Sequence, residues 1–136
     1  MTAITTPRFK ESTDSLLRFA MRADAVLTGL AGIAALPFAG WLAEMAGTSK
    51  AFEYSMSAFF IAYGVVVLVL AQLPSVRKPG IAVITANLLY TVAAVAFVLS
   101  GWMPLTTMGV VGTLATGIYT LVFAELQYQG VRRIKR

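Results

Sequence analysis

Three stretches of this sequence, residues 25–43, 54–76 and 79–124, contain no Asp, Glu, Lys or Arg. A soluble domain could not cover its surface with runs of that length, whereas ~20 apolar residues in helical form cross a ~30 Å hydrocarbon core. The 136-residue chain is 58% hydrophobic and 12% charged, with a mean hydropathy of +0.77, which is membrane-protein composition. The runs are continuously apolar and rich in Ala, Leu and Val, and lack the ~10-residue alternating segments of a transmembrane barrel.

The first two stretches predict one span each, at about 25–45 and 54–73. The third holds 46 uncharged residues, too many for one span, and Ser100-Gly101-Trp102-Met103-Pro104 breaks it into spans of about 80–99 and 106–123. Short connections favour antiparallel neighbours, so the predicted fold is all-α, an up-down-up-down four-helix transmembrane bundle over residues 16–130. Residues 1–15 form a polar N-terminal tail without the apolar run of a signal peptide, so no cleaved signal is expected, and residues 131–136 form a basic tail. Asp14 or Ser15 is the candidate cap of the first helix, and Pro37 predicts a kink between Ala35 and Gly40.

Four spans put Arg8, Lys10, Arg18, Arg22, Arg77, Lys78, Arg132, Arg133, Lys135 and Arg136 on one side of the bilayer and only Lys50 on the other. Ten basic residues against one predict cytoplasmic termini and a cytoplasmic middle loop, with the inner (plasma) membrane as the location. Trp41 and Trp102 fall together at the opposite interface. The formal net charge of +5 is therefore topological, and no nucleic-acid partner is expected; the bilayer is the first partner, and the basic tail suits anionic headgroups.

Cysteine and histidine are both absent, which excludes disulfides, thiol chemistry, imidazole ligation and His-assisted nucleophiles. Gly109, Gly112 and Gly117 do not form a phosphate loop, because no Lys-Ser/Thr follows and they lie within a span. No catalytic, metal or cofactor-binding residue is assigned, no cofactor is expected, and the protein is not expected to be an enzyme.

The polar residues left in the spans gather toward the basic side. Asn87, Tyr90 and Thr91 share a helical face with Ala94 at spacings of i, i+3, i+4 and i+7, a face that should point inward. An unpaired amide in hydrocarbon is costly, so a partner such as Asp24, Thr28 or Gln72 is expected. Asp24, Thr28, Gln72, Asn87, Tyr90 and Thr91 thus form either a helix clamp, the preferred reading, or a polar pocket opening to the cytoplasm. Asp24 heads a face continued by Thr28, Ala31 and Ala35, although a position near the helix N-terminus with a paired arginine would also account for it.

Glu125 borders the fourth span but lies about 140° from Thr120 at ~100° per residue, away from the stripe of Thr113, Thr116, Thr120 and Gln127. It is expected to be an interfacial charge with Arg18, Arg22 and Arg132, meeting water or one of these arginines. Small residues mark helix packing, with Ala25, Gly29, Gly32, Ala35 and Ala39 on the first helix and Gly109, Gly112, Thr113, Thr116 and Thr120 on the fourth.

The runs Leu17-Arg18-Phe19-Ala20-Met21-Arg22-Ala23-Asp24-Ala25, Asn87-Leu88-Leu89-Tyr90 and residues 123–133 resemble parts of small four-span bacterial integral membrane proteins without an assigned function. In size and span count the chain is similar to the DoxX-like group. The resemblance implies a bacterial inner-membrane location and transfers no site residue. The functional expectation is a non-enzymatic accessory or scaffolding subunit, with a homo-oligomer or another membrane protein as partner. The alternative is a dimeric small-molecule transporter.

Overall fold

The computed structural model describes residues 13–134, so the basic positions Arg8, Lys10, Lys135 and Arg136 lie outside the described residues. It is all-helical there: α1 (Ser15–Ala35), a 3-10 turn (Leu36–Phe38), α2 (Ala39–Ala46), α3 (Lys50–Leu70), α4 (Arg77–Ser100) and α5 (Thr107–Arg132). The first span comprises α1, the turn and α2, and four helical units are long and apolar enough to cross a membrane. At ~1.5 Å per residue even the 21 residues of α3 reach ~31 Å.

Local sequence explains several boundaries, but not the start of α1: Asp14 is at its N-cap position without the expected side-chain capping hydrogen bond. Pro37 has no N–H to continue the helix, and α1 passes into the 3-10 turn there before α2 resumes. Gly47, with φ of 80°, ends α2 in the left-handed conformation, and Ser49 caps α3 by accepting from the Phe52 amide at 3.1 Å. Pro79 is tolerated in the first turn of α4, where its missing N–H has no intrahelical partner to lose. Thr106 caps α5 by accepting from Gly109 N at 3.0 Å and donates to Met45 O at 2.5 Å, which joins the start of α5 to the end of α2. The helices overrun the apolar stretches: polar first turns such as Lys50–Glu53 and the polar last turn of α5 are helical, although hydropathy alone leaves them out.

Antiparallel packing brings the start of α1, the α3–α4 turn and the end of α5 to one end, the basic end, with Arg18, Arg22, Arg77, Lys78, Arg132 and Arg133. Trp41 and Trp102 sit at the other end. The closest helix pairs are α1 with α3 and α4 with α5; α1 also packs on α5, while α3 and α4 meet loosely. Glycines permit the tight approaches: a Cβ on Gly64 would lie 2.7 Å from Ala25 O and 2.9 Å from Gly29 Cα. Gly109 abuts the Ala46 carbonyl in the same way, but Gly112 faces open space and is not a packing residue within this chain, contrary to the expected stripe. Between α3 and α4, ring pairs hold the backbones apart, Phe52 on Phe97 at 5.2 Å and Phe60 near Tyr90 at 6.1 Å.

Polarity is inverted relative to a soluble protein. Leu30, Ile33, Val65, Val69, Leu89, Val92 and Ile118 are exposed, whereas Asp24, Ser57, Asn87, Thr120 and Gln127 are buried. Acyl chains are the medium in which that arrangement is stable. The apolar core is concentrated at the basic end, where Leu17, Met21, Ala71, Val76 and Val131 close the bundle.

Candidate functional site

The interior seam follows from helical phase. Leu17, Met21, Asp24 and Ala25 form the buried stripe of α1, Gly80, Val83, Asn87 and Ala94 that of α4, and Thr120, Ala124, Gln127 and Val131 that of α5. Three polar side chains therefore meet on the bundle axis just above the apolar plug. Asp24 and Gln127 are both 0% exposed and Asn87 is 2% exposed.

Asp24 is the centre of the cluster. Its Oδ2 accepts from Tyr63 OH at 2.7 Å, from Asn87 Nδ2 at 3.0 Å and from Gln127 Nε2 at 3.0 Å. Its Oδ1 accepts from Thr28 Oγ1 at 3.1 Å and from Tyr119 OH at 3.3 Å, and the Thr28 and Tyr119 hydroxyls are themselves 2.9 Å apart. Asn87 Nδ2 also donates to Gln127 Oε1 at 3.0 Å, and Tyr63 OH lies 3.2 Å from Asn87 Oδ1. All four spans thus contribute to one carboxylate. A ring of amide and hydroxyl donors suits the ionised, acceptor-only form of an acid and replaces the water it loses on burial.

No cation balances that charge among the described residues. Their one ion pair is Arg18 with Asp14 at 3.1 Å, and Arg18 also donates to the carbonyls of Ala71, Leu73 and Pro74. The alternative of an arginine-paired Asp24 does not hold: Arg18 turns to the α3–α4 turn, and Arg22, the nearer in sequence, is exposed and makes no ion pair with Asp24.

A second tier of hydroxyls ties α4 to α5 above Asn87. Thr91 donates to Gly117 O at 2.9 Å and lies 2.7 Å from the Thr120 hydroxyl, and Tyr90 donates to Thr116 at 3.1 Å. Gly117 is in place because Ala94 Cβ would come within 3.3 Å of any side chain there.

On the tryptophan side of the cluster a cavity of about 260 Å³ opens among all four spans. Thr28, Tyr63, Asn87 and Tyr119, which surround Asp24, form its floor; Phe59, Phe60 and Tyr90 add aromatic walls. The cavity is not sealed, since Ala31, Phe59, Ala86 and Ala115 in its wall are exposed on the bundle. The pocket of the alternative reading, opening toward the basic end, is instead closed there by Leu17, Met21, Val76 and Val131, whose apolar side chains fill the space between the cluster and that end.

Asp24, Thr28 and Asn87 thus meet in one cluster, with Tyr90 and Thr91 one turn further along α4. Gln72 does not join them: it is exposed in the turn after α3, on the far side of the plug, and the amide that reaches Asn87 is Gln127. Glu125 is exposed, as its phase required, but it accepts from Gln129 at 2.7 Å and pairs with none of Arg18, Arg22 and Arg132. Arg22 and Arg132 are exposed, Arg132 with its guanidinium 5.8 Å from the Tyr128 ring centre. Tyr63 and Tyr119 are site residues the sequence reading missed. The signal for Tyr63 was its phase with Ser57, Phe60, Gly64 and Val67 on α3, a face of small and aromatic residues. Among the described residues no three Asp or Glu side chains come together. No protein-family model matches the chain, and no curated protein or solved structure matches it; the DoxX-like likeness rests on size and span layout alone.

Proposed function

We propose that this is a non-enzymatic, multi-pass inner-membrane protein with its basic end cytoplasmic, and that it acts as a carrier of small, largely apolar molecules held in the cavity beside Asp24. One observation carries the reading: a fully buried carboxylate, hydrogen-bonded from all four spans, stands behind the floor of a cavity of about 260 Å³ at mid-depth. A clamp alone needs the hydrogen bonds and not the void, because a void forfeits packing contacts. Exposed alanines in the wall give a molecule dissolved in the bilayer a route inward. The inner-membrane assignment is supported by the distribution of Lys and Arg across the two ends of the bundle.

The accessory-subunit reading has one observation in its favour. Gly112 is exposed with nothing within 4 Å of a Cβ built on it, which leaves α5 a flat place for another helix.

The carrier reading is tested in phosphatidylcholine nanodiscs with two bicyclic probes, 1-naphthalenemethanol and 1-naphthylmethylamine, read by naphthyl fluorescence against empty discs. Saturable binding of at least one probe is expected, and it should be lost when Ala31→Phe or Ala115→Phe places a ring in the cavity. Failure of both probes to bind saturably, or binding indifferent to both substitutions, would overturn the reading.

A further inference from the structure

We infer that the occupant of this cavity is a lipophilic amine in its protonated form, an aromatic or alicyclic body with one ammonium group. The inference rests on the carrier reading above and adds the class of ligand.

Charge is the first argument. Asp24 accepts hydrogen bonds from neutral groups, and no Lys or Arg among the described residues faces it. Neither α3 beyond Glu53 nor α4 beyond Lys78 carries a charge, Arg22 on α1 and Glu125 and Arg132 on α5 are exposed, and Arg18 is held on the α3–α4 turn, so no other ion stands in the low-dielectric interior between the carboxylate and the cavity. That field attracts a cation and repels the carboxylates and phosphates of most metabolites.

Polarity of the floor is the second. Tyr63 directs its hydrogen to Asp24 and keeps its lone pairs for whatever lies in the cavity; Thr28, which also donates to Asp24, has the Tyr119 hydroxyl on one lone pair and keeps the other. Oriented acceptors of this kind receive an N–H. Ring content is the third: Phe59, Phe60, Tyr63, Tyr90 and Tyr119 bound the space, and aromatic faces stabilise an ammonium while accepting an apolar body.

Size and access complete the description. A cavity of ~150 Å³ holds benzene, so about 260 Å³ suits a bicyclic skeleton. The exposed alanines open onto the region that acyl chains occupy, and a lipophilic amine partitions there as few other cations do.

The test uses the full-length protein in zwitterionic phosphatidylcholine nanodiscs, so that headgroup charge does not concentrate the cation. Three probes share one ring system: 1-naphthylmethylamine, 1-naphthalenemethanol and 1-naphthoate. The amine is expected to bind about tenfold tighter than the alcohol, with no saturable binding of the carboxylate. Alcohol binding as tightly as amine, or any preference for 1-naphthoate, would overturn the inference while leaving the cavity a binding site; loss of all binding would overturn the carrier reading with it. These wild-type measurements decide the matter without a variant. Asp24→Asn, in discs that retain the native elution volume and helicity, is expected to bring amine and alcohol within about twofold of each other. A tenfold preference surviving that substitution would remove Asp24 as its source and overturn the proposal.

Discussion

The two halves of this bundle use the same helices for opposite purposes. At the basic end Leu17, Met21, Ala71, Val76 and Val131 fill the interior, and Gly80 and Gly130 lie so close to Leu17 that a Cβ on either would meet it at 2.6 or 2.7 Å. Toward the tryptophans the interior is lined by rings and hydroxyls around a cavity, and α3 and α4 stand apart across Phe60 and Tyr90. Asp24 marks the boundary. In a bilayer, where apolar side chains are no better served inside than outside, close packing and hydrogen bonds have to hold the helices together. The basic half is held by packing, the boundary by hydrogen bonds, and the remaining half is free to enclose something else.

The sharpest way to break this contrast is at the boundary. Asp24→Ala leaves the donors of Thr28, Tyr63, Asn87, Tyr119 and Gln127 without their shared acceptor, and a loss of about 3–5 kcal/mol is expected in detergent unfolding. A change under ~1 kcal/mol would mean the cluster does not hold the four spans. Leu17→Ala in the filled half is expected to cost about 2–4 kcal/mol by the same measurement, because its neighbours cannot collapse onto the vacated space. Tyr90→Phe, beside the existing void, removes one hydrogen bond to Thr116 and should cost no more than ~1 kcal/mol. If it cost as much as Leu17→Ala, the two halves would not differ in packing.

Orientation is the smallest perturbation and a separate check. The chain has no native cysteine, so single cysteines at Ser49 and Ser75, both exposed and at opposite ends, report sidedness in intact cells. Ser49→Cys is expected to be labelled by an impermeant maleimide from outside and Ser75→Cys to be protected; the reverse pattern would invert the topology.

The fold was legible in the sequence because span length, breaker residues and charge asymmetry are properties of the chain taken alone. Helical phase also separated the two acids near the basic end: Asp24 shares a stripe with Leu17, Met21 and Ala25 and is buried, while Glu125 lies outside the stripe of Thr120, Ala124 and Gln127 and meets only Gln129. Phase says which way a residue faces, not which residue it meets. Gln72 and Gln127 both border spans at the basic end, and only the depth of each helix in the bundle decides that Gln127 reaches Asn87 while Gln72 lies in a turn. Tyr63 and Tyr119 went unread for a related reason. Tyrosine inside an apolar run is compatible with a core, an interface or a site until a partner for its hydroxyl is known. The direction of the cavity was likewise set by tertiary packing, through a plug whose members come from α1, α5 and the α3–α4 turn.

The most direct measurement is the anomalous signal of bromine in crystals of the protein grown from lipid with 4-bromo-1-naphthylmethylamine. The account predicts bromine within the space bounded by Phe60, Tyr90 and Tyr119, with the amine directed to the Thr28 and Tyr63 hydroxyls that donate to Asp24. Bromine only on the outer apolar surface, or among Leu17, Val76 and Val131 at the basic end, would contradict it.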